Sequence, residues 1–263
     1  MNRDIRFAKE RPSQQSAESF ALAGHFYAVG VGPGDSDLLT LRAARLIESA
    51  DVILAPQSQK STHSLALNAA KPFLSGQELV VTRYPMQRDS SATQAHWRKI
   101  AEDVARRCSD GQAVVQITLG DPLVFATSSC LTEALADKLN PEQIHLVPGI
   151  SAFQLVASCF QRPLALQEDR LLIMSATDLE AVEQALDQCE TLVLFKAAGN
   201  LPALLELLRK HDLLQRASLV SAGGQGKQEL QIADLSRWEP NELGYMTTMI
   251  IHLGQRPWQE QSS

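Results

Sequence analysis

The chain has 263 residues, long enough for one large or two modest domains with a core in each. Hydrophobic residues make up 44% and charged residues 21%, the balance of an ordinary globular protein. The net charge of −6 argues against a general nucleic-acid or membrane-surface binder, which carries a basic field.

Four cysteines, Cys108, Cys130, Cys159 and Cys189, are scattered with no CxxC pair, so a disulfide framework or zinc site is not expected and reduced thiols are. The six histidines show no HxxH or HExxH spacing, and no metal is expected. Residues 1–23 are polar and mixed in charge and read as a disordered leader without a signal peptide; residues 258–263 read as a tail. No stretch approaches the roughly 20 apolar residues of a membrane span.

The first ordered segment, Phe26–Gly32, is a short apolar run expected to be a buried strand, and Pro33-Gly34-Asp35 ends it. A helix follows with Thr40 as its N-cap and Leu39, Ala43, Leu46, Ile47 and Ala50 at helical spacing. Asp51–Pro56 and Leu79–Thr82 are further strands. Trp97, Ile100, Ala101, Val104, Ala105 and Cys108 form one face of a helix. Ala113–Leu119 is a fourth strand, Ser129–Leu139 a helix and Ile144–Val147 a fifth strand. Apolar strands alternating with helices predict a mostly parallel five-stranded sheet covered on both faces.

The pattern changes near Cys159–Arg162, which sets domains at 24–160 and 161–257. The second domain holds strands at Leu171–Ser175, Thr191–Phe195, Ala217–Ser221 and Tyr245–Leu253. Its helices span Asp178–Gln188 and a segment capped by Asn200 that carries Leu201, Leu204, Leu205 and Leu208. The fold class is therefore α/β in two domains, the second with a mixed sheet.

Three glycine turns end successive strands of the first domain: Gly30-Val31-Gly32-Pro33-Gly34-Asp35, Gly120-Asp121-Pro122 and Pro148-Gly149-Ile150-Ser151-Ala152. Ligands of open parallel sheets bind outside the carboxyl ends of the strands, where glycine admits close backbone approach. The first turn is not a dinucleotide fingerprint, because Asp35 stands where the third glycine belongs and Pro33 removes a backbone donor. Each turn alone suits a plain strand end; together they favour a shared site. The apolar continuation Leu123–Ser129 suits either a pocket wall or the start of a buried helix.

These three blocks, with Leu39-Thr40-Leu41 behind the first and Phe153 closing the third, resemble the signature blocks of the tetrapyrrole methylases. The resemblance covers roughly Gly24 to Pro257. Ile53-Leu54-Ala55-Pro56 with Tyr84-Pro85-Met86-Gln87-Arg88-Asp89 is most similar to the precorrin-2 C20-methylating branch. It implies an active site in the trough between two domains, S-adenosylmethionine as methyl donor, a tetrapyrrole acceptor and a cytoplasmic homodimer. Carried over by position, the cofactor contacts are Pro33, Leu119, Gly120, Asp121, Val124, Phe125, Ser151, Ala152, Lys196, Gly223, Gly224, Thr247 and Thr248. The substrate contacts are Arg83, Tyr84, Arg88 and Asp89. Phe125 replaces a common tyrosine, Ala222–Lys227 lacks a Pro-Asp pair, and Tyr245-Met246-Thr247-Thr248 replaces Tyr-Phe-Ser. These departures leave three alternatives: a uroporphyrinogen III methylase of the siroheme branch, an RNA ribose methylase, or a catalytically silent tetrapyrrole binder. The acidic charge weighs against RNA.

Methyl transfer to carbon needs in-line positioning rather than a protein nucleophile. Asp121, Asp89 and Tyr84 are candidate bases, and Asp121 equally suits capping the helix behind it. Arg83, Arg88 and Lys196 suit the carboxylates of a precorrin rim, or plain surface charge. His25 reads as structural.

Overall fold

The computed structural model describes residues 20–57, 64–83, 91–239 and 243–254. The chain forms two compact units. The first runs to Val31 and again over Leu39–Gly149; the second takes Gly32–Leu38 and the chain from Ile150.

The elements in chain order are β1 (Phe26–Gly30), α1 (Leu41–Ser49), β2 (Val52–Gln57), α2 (Leu65–Ala70), β3 (Glu78–Arg83), α3 (Ser91–Ser109), β4 (Val114–Thr118), α4 (Ser128–Leu135) and β5 (Ile144–Val147) in the first unit. The second holds α5 (Ala152–Cys159), β6 (Leu171–Ser175), α6 (Leu179–Ala185), β7 (Thr191–Phe195), α7 (Leu201–Lys210), β8 (Ala217–Ser221), β9 (Leu230–Ile232) and β10 (Thr247–His252).

The first sheet has the order β3-β2-β4-β1-β5, and every pair is parallel. Its central strands are mostly apolar because both faces are covered, with Gln116 and Thr118 of β4 as buried polar exceptions. On one face Ala43, Leu46 and Ile47 of α1 and Ala66, Ala69 and Ala70 of α2 pack on Tyr27, Val29, Ile53, Val115 and Ile117. On the other, Trp97, Ala101 and Val104 of α3 and Leu131 and Leu135 of α4 pack on Phe26, Ala28, Leu54 and Val114. The Thr40 hydroxyl starts α1 by accepting the Ala43 N–H at 3.1 Å. The edge strand β3 departs from the apolar pattern: Leu79 and Val81 are 46% and 49% exposed, because a strand at the sheet margin has one flank without a neighbour.

This distribution of helices has a topological consequence. The connections leaving β1 and β2 cross one face, and those leaving β3 and β4 cross the other. With the fixed handedness of parallel crossovers, the chain therefore turns opposite ways from the neighbouring strands β1 and β4. Their carboxyl ends form the switch point of the sheet, where such folds bind ligands.

The second sheet is mixed, in the order β6-β7-β10-β8-β9. β6 and β7 are parallel, while β10 runs antiparallel to both β7 and β8. Both faces are again dry, so neighbours along a strand serve different cores. Leu192, Leu194, Leu219, Met249 and Ile251 meet Val182 and Ala185 of α6 and Leu204 and Leu208 of α7. Val193, Val220 and Ile250 point the other way, onto Val156 of α5. Each such fully buried aliphatic side chain contributes about 1.5–3 kcal/mol by leaving water.

That last contact moves the boundary. The division expected near residue 160 falls at Gly149–Ile150, because Val156 carries α5 onto the second sheet. Asn200 does not cap α7 with its side chain; its amide donates to the carbonyl of Ala176 at 2.8 Å, tying the turn before α7 to the end of β6. The expected leader falls on the undescribed residues 1–19 except for its last four positions, and the expected tail lies outside the described residues.

Candidate functional site

At the carboxyl edge of the first sheet, three glycines from the ends of β1, β4 and β5 meet backbone to backbone. A Cβ on Gly30 would stand 2.5 Å from the Gly120 carbonyl oxygen and 2.7 Å from the Gly149 nitrogen. Only residues without side chains permit this approach. Gly120 also has φ +76°, a left-handed turn that β4 needs as it leaves the sheet.

Asp121 locks the arrangement. One carboxylate oxygen accepts the Leu123 N–H at 2.8 Å, and the other accepts the Gly149 N–H at 3.0 Å. The side chain thus fastens the turn after β4 to the turn after β5. It does not cap α4, whose N-cap is Thr127; Asp121 is spent on nearer backbone donors. Beyond it the Ser128 hydroxyl donates to the Pro122 carbonyl at 2.9 Å. Leu123 and Phe125 face outward, 62% and 43% exposed, and Phe125 adopts a left-handed φ of +51°. A bulky residue held in that conformation costs about 1–3 kcal/mol and is retained where its placement matters. Leu119 and Val124 lie on the same turn, both partly exposed.

Arg83 stands exposed at the carboxyl end of β3, two strands from β4, with its carbonyl accepting a ring N–H of His96 at 3.0 Å. Tyr84, Arg88 and Asp89 lie outside the described residues.

In the second unit the remaining predicted residues collect at one edge of the mixed sheet. Thr248 is registered with Phe195 and Thr247 with Ser221, so Lys196, Thr247, Thr248 and the Ala222–Gly224 turn follow from neighbouring strand ends. Lys196 is left-handed, with φ +60°. Thr247 and Thr248 are buried, and the Thr247 hydroxyl bonds inwardly to the Gly244 carbonyl at 2.6 Å and the Ser221 hydroxyl at 3.0 Å. The Pro33 turn packs here too: a Cβ on Gly34 would lie 3.0 Å from the Gly224 carbonyl oxygen. Gly223 faces Leu155 of α5, whose methyl a Cβ would approach to 2.9 Å. Ser151 and Ala152 start α5, and the Gln154 side chain accepts the Ser151 N–H at 2.8 Å.

The strongly displaced titrating groups lie away from these turns. Burial pushes the Cys108 thiol up to about 11 at the end of α3, and hydrogen bonds from Arg170 hold the Glu190 carboxyl down at about 2 before β7. Among the described residues no group of three or more His, Cys, Asp or Glu side chains is placed to hold a metal ion.

The helices α2 and α5, the strand β9 and the contact among the three glycines lie outside the sequence expectations. Helix α5 was announced by Ser151 followed by Gln154, the spacing of a reciprocal N-terminal cap. The mutual contact of Gly30, Gly120 and Gly149 had no local signal, since it joins three strands distant in sequence.

The fold and the glycine turns at the switch point define a known class. Residues 25–238 match the model of the tetrapyrrole (corrin/porphyrin) methylases, and the chain belongs to that family. Among its relatives, the cobalt-precorrin-2 C(20)-methyltransferase of Salmonella typhimurium is 36% identical over 202 residues, covering 76% of this chain and 84% of that protein. The precorrin-2 C(20)-methyltransferase of a Sinorhizobium species is 30% identical over 209 residues, with 76% and 84% covered. The structure of a cobalt precorrin-4 methyltransferase superposes with a TM-score of 0.63 at 16% identity, covering 91% of this chain and 97% of that one. A uroporphyrin-III C-methyltransferase from Thermus thermophilus, complexed with S-adenosyl homocysteine, gives 0.60 at 20% identity, with 87% and 98% covered. These two share the fold.

Proposed function

We propose that this protein transfers a methyl group from S-adenosylmethionine to C20 of precorrin-2 or its cobalt-loaded form, in cobalamin biosynthesis. The observation that carries this reading is the 36% identity, over most of both chains, to the Salmonella cobalt-precorrin-2 enzyme. The residues present suit such a cofactor. The glycine turn after β4 carries Leu119, Val124 and Phe125 with apolar side chains at least partly exposed, which suits the nucleoside part of such a ligand.

Bound S-adenosylmethionine supplies a methyl group on a sulfonium sulfur. The residues assigned to holding it are Pro33, Leu119, Gly120, Asp121, Val124, Phe125, Ser151, Ala152, Lys196, Gly223, Gly224, Thr247 and Thr248. Asp121 works by position: each of its oxygens accepts a backbone N–H, which holds the Gly120 turn in shape. Thr247 likewise shapes its strand end through inward bonds. The exposed side chains of Leu123 and Phe125 offer apolar surface that excludes water and favours loss of the sulfonium charge. Arg83, Tyr84, Arg88 and Asp89 are assigned to the acceptor, the arginines and Lys196 pairing with its carboxylates. A homodimer in the cytoplasm belongs to the same reading, on the family resemblance.

Incubation of the purified protein with S-adenosylmethionine and precorrin-2 under anaerobic conditions tests the proposal. A product heavier by one methyl group, placed at C20 by NMR, is the expected result. Methylation of uroporphyrinogen III in preference to precorrin-2 would overturn the substrate assignment.

A further inference from the structure

The turn after β8 leaves the sheet through two left-handed residues, Ala222 at φ +52° and Gly224 at φ +74°. The backbone holds the start of this turn: the Gln225 N–H donates to the Ala222 carbonyl at 3.1 Å, and the Ala222 N–H donates to the Met246 carbonyl at 2.9 Å. Its far side, at Gly224, is held by the side chain of Glu229. One of its carboxylate oxygens accepts the Gly224 N–H at 2.6 Å, and the other accepts the side-chain amide of Gln231 on β9. The carboxylate therefore bridges the turn to a strand that is itself paired with β8. A charge-assisted bond of this length is about twice as strong as a neutral one.

The anchored turn presses on a second one. The Gly224 carbonyl carbon and oxygen lie 3.1 and 3.0 Å from where a Gly34 Cβ would sit, and the Gly223 oxygen lies at 3.2 Å. The backbone of the Pro33-Gly34-Asp35 turn thus rests directly on the backbone that Glu229 holds. Close-packed backbone transmits displacement, since neither side has a rotamer to yield.

We propose that Glu229 is a positioning residue for the methyl-donor site, fixing the Gly223–Gly224 turn and through it the Pro33–Asp35 turn. This rests on the assignment of Pro33, Gly223 and Gly224 to the cofactor. Glu229 thus sets cofactor affinity by holding backbone in place, without touching the reacting atoms.

Two measurements on Glu229→Ala and Glu229→Gln test this. Hydrogen exchange of the Gly224 amide reads the anchor with no ligand present. Calorimetry with S-adenosylhomocysteine reads its consequence, beside a melting curve for each variant. The expected result is faster Gly224 exchange and about a tenfold weaker Kd in Glu229→Ala. Glu229→Gln, which keeps an acceptor oxygen, restores both to near wild type, and the melting temperature of Glu229→Ala falls by no more than the few degrees that one lost hydrogen bond accounts for. Unchanged Gly224 exchange in Glu229→Ala would overturn the anchor. Faster exchange with unchanged affinity would overturn its role in the cofactor site. Failure of the wild-type protein to bind S-adenosylhomocysteine would instead overturn the methyltransferase reading, and the role of Glu229 in cofactor affinity with it, whereas Gly224 exchange still decides the anchor.

Discussion

Gly30→Ala gives the sharpest test of how the switch point is built. The added methyl carbon would lie 2.5 Å from the Gly120 oxygen, 2.7 Å from the Gly149 nitrogen and 2.8 Å from the Gly149 Cα. All three are backbone atoms of strand ends, so no side-chain rotation relieves the overlap. β1 must separate from β4 or β5, or the Asp121–Gly149 bond must stretch. Overpacking a close-packed site costs about 1–3 kcal/mol, and a contact made wholly by backbone belongs at the upper end. For a chain of this length 1 kcal/mol is worth roughly 2–4 °C, so the melting temperature should fall by roughly 6–12 °C. Gly199→Ala is the control. A Cβ there meets nothing within 4 Å and φ is not positive, so its melting temperature should hold or rise slightly. Differential scanning calorimetry of both variants decides the matter. A Gly30→Ala protein melting within about 2 °C of wild type would refute the argument that these glycines are in contact.

Three further outcomes are expected. Asp121→Ala leaves the part-buried Gly149 N–H without its acceptor and should destabilise by about 1–3 kcal/mol in urea unfolding. Asp121→Asn, which keeps one oxygen, should lose less. Leu204→Ala opens the core between α7 and the second sheet and should cost about 2–5 kcal/mol by the same assay. The Glu190 carboxyl is depressed from the ordinary 4.5 to about 2 by the side chain and backbone N–H of Arg170. Because the folded value is the lower one, its stabilising effect is present above pH 4.5 and is lost as pH falls through about 2. Glu190→Gln should therefore unfold at lower urea than wild type at neutral pH, with the gap closing as the solution is acidified toward pH 2. A gap independent of pH would refute the assignment.

Much of this protein was determined by local pattern. Apolar runs bounded by turn residues placed β5, β6, β7 and β8 to the residue, because a strand covered on both faces is a short apolar stretch wherever it lies. Thr40 and Asp178 marked helix starts because a cap is a bond within a few residues, and both side chains make it. The three glycine turns were legible as chemistry for the same reason. What only the tertiary structure decided are relations between segments far apart in the chain. Which sheet claims α5 depends on Val156 meeting Val193, Val220 and Ile250, and nothing near residue 156 records that. In sequence Asp121 suits a base or a helix cap, and the approach of Gly149 gives it a third task, fastening the turn after β4 to the turn after β5. Hydrogen-bond partners and close contacts are settled by how strands distant in the chain pair and how helices cover them, and local periodicity carries no information about that.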